Sequence, residues 1–172
     1  METSANPGRR AHLCFRTLVR GWPWYHETRR VQTGEVLLRA IPNAPGYFKE
    51  GMVNWTVDPY AFKPNRRRDA DGMSFFREDF STAQEVVDAN RHPSGVRVAR
   101  ITFQQLQALG LDVVPNPDPS QPAGHAVVPG MRFVAKLPRE EKRKIEDLSQ
   151  KLAQFASQNG VYCPPALGDP VP

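Results

Sequence analysis

Only two cysteines, Cys14 and Cys163, occur in the 172-residue chain, and they stand near its opposite ends. That is neither a CxxC pair nor the density of a disulfide-stapled secreted domain, so the cytoplasm is the expected compartment. No stretch approaches the ~20 apolar residues of a membrane span. Up to Tyr25, arginines interrupt every apolar stretch, which leaves no room for the apolar core of about 7–15 residues in a secretory signal. No membrane association is expected. Also missing are GxxxxGK[ST], GxGxxG, GxSxG and HExxH, and any His and Cys at metal-ligand spacing. His12, His26, His92 and His125 are far apart in the chain. Neither a metal nor a cofactor is expected.

What is present fits one α+β domain with loose ends. A chain of this size can bury roughly two-thirds of its unfolded surface in a single core. Hydrophobic residues make up 40% and charged residues 24%, a globular balance, while 17 prolines imply much loop. The net charge is +5. Residues 1–33 carry Arg9, Arg10, Arg16, Arg20, Arg29 and Arg30 against Glu2 and Glu27, so +4 of it lies there and residues 34–172 are nearly neutral. A basic arm on a neutral body points to an anionic partner more strongly than a uniformly high isoelectric point does.

Glu35–Ile41 reads as a first strand ended by Pro42, Met52–Val57 as a second, and Met73–Phe76 as a third. Between the last two, Asn65–Gly72 is too charged for any core. Thr82 with Glu85 makes a capping box for a short helix with Ala83, Val86 and Val87 on its buried side. Gly95–Ile101 alternates cleanly as a strand, Thr102 caps a helix over 103–109, and Gly110 closes it. Asp112–Val114 is a brief strand. Pro115, Pro117, Pro119 and Pro122 then force an extended surface loop before the strand His125–Val128. From 138 to 159, Ile145, Leu148, Leu152 and Phe155 fall at helical spacing, which predicts one buried stripe on a long helix ended by Gly160. The divisions are therefore an arm over 1–33, a core over 34–160 with its C-terminal helix at 138–159, and a proline-rich tail over 161–172. Short strands interleaved with short helices, and apolar alternation in place of continuous runs, favour a mostly antiparallel or mixed sheet.

Two sets of residues can carry function. In the arm, Arg9, Arg10, Arg16, Arg20, Arg29 and Arg30 are interleaved with Trp22, Trp24 and Tyr25. Phosphate-seeking charge beside stacking rings suits sequence-tolerant binding of a nucleic-acid strand, and the same aromatics can equally anchor a partner protein or pin the arm to the core. Arg66, Arg67 and Arg68 can extend such a patch, offset by Asp69 and Asp71. The second set is Arg39, Ser74, Glu78 and His125. Arg39 interrupts an apolar strand with a planar fork of donors suited to an anion, or else faces solvent. His125 follows Gly124 and a long loop, where it can act as a base or bond a loop carbonyl. Arginine, serine and glutamate on successive strands follow the order of ADP-ribosyltransferase-like enzymes that hold NAD, although their serine-threonine-serine strand and paired carboxylates are absent here.

Leu37-Leu38-Arg39-Ala40-Ile41-Pro42, Ala61-Phe62-Lys63-Pro64, Met73-Ser74-Phe75, Gly110-Leu111-Asp112-Val113-Val114-Pro115 and His125-Ala126-Val127-Val128 together resemble a family of small uncharacterised bacterial proteins. That family shares an Arg-Ile-Pro start, an Ala-Phe segment, a Leu-Ser-Val-like strand, a Gly-Leu-Val-Val-Pro-Asp-Pro segment and a late His-Ala. The resemblance spans about residues 36–130 and departs at Ser74-Phe75-Phe76, where aromatics replace an aliphatic strand. It implies that 36–130 is the core unit, with the arm and last helix added, and it implies no activity. The expectation is a non-enzymatic accessory or adaptor protein whose arm binds a partner protein or nucleic acid. The alternative is a small enzyme, an NAD-using transferase or a nuclease, with Arg39, Ser74, Glu78 and His125 as its site.

Overall fold

The computed structural model describes residues 27–50, 55–90, 92 and 94–164. Six strands form one antiparallel sheet: β1 (Val36–Pro42), β4 (Met73–Arg77), β5 (Val96–Thr102), β6 (Val114–Pro115), β7 (His125–Val128) and β8 (Val161–Tyr162), in the order β6-β7-β4-β1-β5-β8. A separate hairpin pairs β2 (Phe48–Glu50) with β3 (Trp55–Val57). The helices are α1 (Ala83–Ala89), α2 (Phe103–Ala108) and α3 (Arg139–Asn159), with short 3-10 turns at Pro59–Phe62 and Pro129–Met131. The α+β class and the single long C-terminal helix follow the expectation from sequence.

Both faces of the sheet are covered, and the alternation of side chains along each strand decides what goes where. Leu37, Ile41, Phe75, Ile101 and Val128 belong to the main core, together with Leu148, Leu152, Ala153 and Ala156 of α3. Their neighbours Leu38, Phe76 and Val98 point the other way, into a smaller core closed by Ala83 and Val86 of α1. Adjacent leucines on β1 thus serve opposite layers. The predicted stripe on α3 is shifted. Leu148 and Leu152 are buried, but the small residues Ser149, Ala153 and Ala156 complete the contact, while Ile145 and Phe155 lie at its margins. Small side chains let the helix approach the sheet closely, which turns the packed face toward them. Ser149 Oγ lies 2.8 Å from Ile145 O and 2.9 Å from Phe62 O and shares its one proton between these two carbonyls, so this buried hydroxyl joins helix to 3-10 turn.

The local signals work as expected at the caps. Thr82 and Glu85 form a reciprocal capping box, as do Thr102 and Gln105. The tail placed at 161–172 begins later than expected, because Val161 and Tyr162 add an edge strand to β5. Residues 165–172 lie outside the described residues. So does most of the arm, including Arg9, Arg10, Arg16, Arg20, Trp22, Trp24 and Tyr25, but its root does not, and Val31 is a core residue. Among the described residues no helix is long and apolar enough to cross a membrane.

Candidate functional site

Two buried arginines organise the basic segments of the chain. Arg77, at the end of β4, is 0% exposed. Its Nε and Nη2 donate to the two carboxylate oxygens of Glu35, both at 2.8 Å. Its Nη1 donates to the carbonyls of Glu27 (3.1 Å) and Arg29 (2.9 Å), and its guanidinium lies 4.7 Å from the Phe80 ring centroid. Four of the five N–H donors of the planar fork are thus used and each of its nitrogens has a partner, as a buried guanidinium requires. Glu35 also accepts from Gln32 N–H. Burial alone would raise the Glu35 pKa, but the Arg77 hydrogen bonds, the Gln32 N–H and the charges of Arg77 and Arg29 outweigh it, and the net shift is downward. Arg29, a candidate for partner contact, pairs with Asp79 at 2.6 Å and sits 3.5 Å from Glu35; Arg30 is exposed. Residues 27–35 are therefore clamped to one end of the sheet.

Arg39 does not face solvent. It is 2% exposed, with its guanidinium between Phe62 and Phe75 and its donors on Ala61 O (3.3 Å), Ser74 O (2.9 Å) and the Asp69 carboxylate (3.4 Å). Burial lowers the Arg39 pKa; the Asp69 charge opposes this and the nearby Arg68 charge adds to it. Asp69 accepts in turn from the N–H groups of Asn65 and Ser74, and its carbonyl accepts from Phe133 N–H. This knot lays the Asn65–Gly72 loop flat on the sheet. Gly72, at φ +146°, belongs to the same fit, since a Cβ there would come within 2.8 Å of Val128 O.

Between that loop, the C-terminal end of α1 and the proline-rich loop lies a cleft of about 330 Å³. Its floor is sheet: Ala40, Ser74, Phe76, Val127 and His125. Arg67 and Arg68 stand on one rim and Asn116, Asp118 and Gln121 on another. Arg67, Arg68, Ala40 and Asn90 also border an adjoining hollow of about 240 Å³ that runs toward Tyr47 and His92, so the two form one groove across the strands.

His125 is fixed in the floor. Its Nδ1 lies 2.7 Å from Asn116 O, and a carbonyl only accepts, so Nδ1 carries a proton. The ring packs on Phe76 at 5.4 Å. Gly124 before it, at φ +76°, has Phe80 where a Cβ would stand, 2.7 Å away, and its N–H donates to Glu27 Oε2. Asp118 is anchored by the N–H and hydroxyl of Ser120. Those bonds lower its pKa; burial opposes them, and the charge of the His125 ring lowers it further.

Of the four residues read from sequence as a possible catalytic set, Arg39, Ser74 and His125 border this cleft and Glu78 does not. Glu78 instead accepts from Arg100 Nε at 3.0 Å, and the Ser74 hydroxyl donates to Arg68 O. The triad order of the ADP-ribosyltransferase-like pattern is therefore not assembled: the arginine is committed to Asp69 and the glutamate to Arg100. Among the described residues no group of three or more His, Cys, Asp or Glu side chains could hold a metal ion. Comparison with protein-family models, curated proteins and solved structures finds no match for this chain.

Sequence reasoning missed Glu35, Arg77, Asp69, Asn116 and Asp118. Asp69 was legible only as a charge offsetting Arg66–Arg68, because nothing local shows that it turns inward to meet a residue 30 positions earlier.

Proposed function

We propose that this protein is a non-enzymatic accessory protein of the cytoplasm that binds a partner protein or a nucleic-acid strand through its basic, aromatic N-terminal arm. The observation that carries the reading is the Arg77 clamp. A fully buried guanidinium takes the carbonyls of Glu27 and Arg29 and the carboxylate of Glu35, so the root of the arm is held at one fixed place on the sheet. A segment that had only to stay in solvent would not need so costly an anchor. Four arginines and Trp22, Trp24 and Tyr25 precede that root. The dispersal of Glu78 from Arg39, Ser74 and His125 supports binding over catalysis.

The test uses the full chain with Arg9, Arg10, Arg16 and Arg20 changed to alanine, beside Trp22→Ala and Trp24→Ala. If a strand is the partner, polarisation titration shows affinity falling with salt at a log–log slope of roughly −0.7 per phosphate, and the arginine variant flattens it. Each tryptophan change then loses about 1–3 kcal/mol with little effect on slope. If the partner is a protein, the unmodified chain has no salt-sensitive strand binding and the tryptophan variants lose capture of that protein. Equal behaviour of all variants in both assays removes the arm from the function.

A further inference from the structure

We propose that the groove across the sheet binds a sugar phosphate, with its phosphomonoester at Arg67 and Arg68 and its hydroxylated ring over Phe76 toward Asp118 and His125. The inference stands on the groove alone and does not rest on the arm.

The phosphate end follows from charge. Arg67 and Arg68 border both halves of the groove, and neither makes an ion pair among the described residues. Asp69, next in sequence, cannot neutralise them, because its carboxylate is bound to Arg39 and to the N–H groups of Asn65 and Ser74. The Arg68 charge also acts on buried Arg39 as a like charge. Asp71, also on this rim, offsets only part of that excess. Two guanidinium forks on a loop held flat by a buried knot form a pre-positioned anion site, and planar forks suit phosphate oxygens.

The opposite end has the reverse character. Asn116, Asp118, Gln121 and His125 line this end; a carboxylate accepts hydrogen bonds, and side-chain amides both accept and donate them. Hydroxyl groups of a sugar are donors of the matching kind. Phe76, Ala40 and Val127 supply the apolar floor on which the carbon face of a ring can lie. At about 330 Å³ the larger half is near the lower limit of roughly 300–1,000 Å³ for small-molecule sites. A polymeric strand is disfavoured here, since its next phosphate along the groove would meet the Asp118 carboxylate.

Isothermal titration of the full chain with ribose 5-phosphate, AMP, ribose and inorganic phosphate tests this. Both phosphorylated sugars should bind, and ribose and inorganic phosphate should each bind at least roughly tenfold more weakly, the factor expected when one charge-assisted contact set is lost. Replacing both arginines (Arg67→Ala with Arg68→Ala), which are exposed and outside the core, should abolish binding of every phosphate at unchanged melting temperature. Asp118→Asn should weaken the two sugar phosphates and leave inorganic phosphate as it was. Tighter binding of AMP than of ribose 5-phosphate would place its base in the half lined by Tyr47 and His92, and equal binding would confine recognition to the sugar phosphate. Either result supports the site. The proposal is overturned if neither sugar phosphate binds at millimolar concentration, if inorganic phosphate binds as tightly as they do, or if the double arginine variant binds as the wild type does. Arm variants leave all these titrations unchanged, so failure here and failure of the arm are read separately.

Discussion

Changing Arg77 to alanine should be the most damaging single substitution at the root of the arm. It leaves the Glu35 carboxylate, which is 7% exposed, with only the Gln32 N–H and the more distant Arg29. It also strips the donors from the carbonyls of Glu27 and Arg29. Removing one partner of a buried ion pair costs about 3–5 kcal/mol because the other charge stays buried. At about 2–4 °C per kcal/mol for a chain of this size, the melting temperature should fall by roughly 6–20 °C. The assay is urea unfolding followed by tryptophan fluorescence, together with limited trypsin digestion. Residues 27–32 should lose their anchor before the sheet melts, so cleavage after Arg29 and Arg30 should accelerate in the native state. Replacing the pair by Arg77→Met with Glu35→Leu should recover part of the stability, since no charge is then stranded, but not the slow cleavage, since the carbonyls still lack their donors. A loss below ~1 kcal/mol, or unchanged cleavage in Arg77→Ala, would refute the clamp.

The same pair sets a pH dependence. The folded-state pKa of Glu35 lies below the usual carboxylate value of 4.5, so its contribution is fully present above that value and is lost as pH falls through the lower folded one. Denaturant midpoints measured at neutral pH and again at about pH 3 should therefore converge for wild type and Glu35→Gln, and a gap that widens in acid would contradict the sign. On α3, Leu152→Ala should cost about 2–5 kcal/mol because Leu152 is 0% exposed. Phe155→Ala should cost less than Leu152→Ala despite removing more atoms, since Phe155 is half-buried; the reverse order in urea titrations would mean that the helix is packed on its other edge.

The parts of this fold that are legible in the sequence are those decided within a few residues. Thr82 with Glu85 and Thr102 with Gln105 cap their helices through bonds three residues apart, and the alternation of Val96 and Val98 with Arg97 shows in the chain itself, whereas Ile101 belongs to the opposite core. Elements fixed by distant partners are not legible. Phe48–Glu50 is a strand only because β3 lies opposite, and Val161–Tyr162 only because the edge of β5 is open to it. Phe155 has the spacing of a core residue, but Ala153 and Ala156 let the helix settle on a different face. The candidate site divides in the same way. His125 and Ser74 stand out as residue types at strand positions, and the sheet brings them together through the pairing of β4 with β7. Glu78, one residue beyond β4, is near Ser74 in sequence but turns to Arg100 instead.

Arg39 and Arg77 explain why a nearly neutral body carries buried charge at all. A buried ion pair is poor evidence for stability, since desolvation offsets most of the attraction and an apolar substitute often does as well. What such a pair does supply is direction: its hydrogen bonds are met in one arrangement only. Arg39 ties down the loop bearing Arg66, Arg67 and Arg68 through Asp69, and Arg77 ties down the root of the arm through Glu35 and two carbonyls. Each buried arginine thus fixes a segment whose own arginines face outward. Hydrophobic anchors could have held either segment, and Val31 already does part of that work for the arm. They would have left its neighbours free to slide, because apolar contacts have no preferred direction.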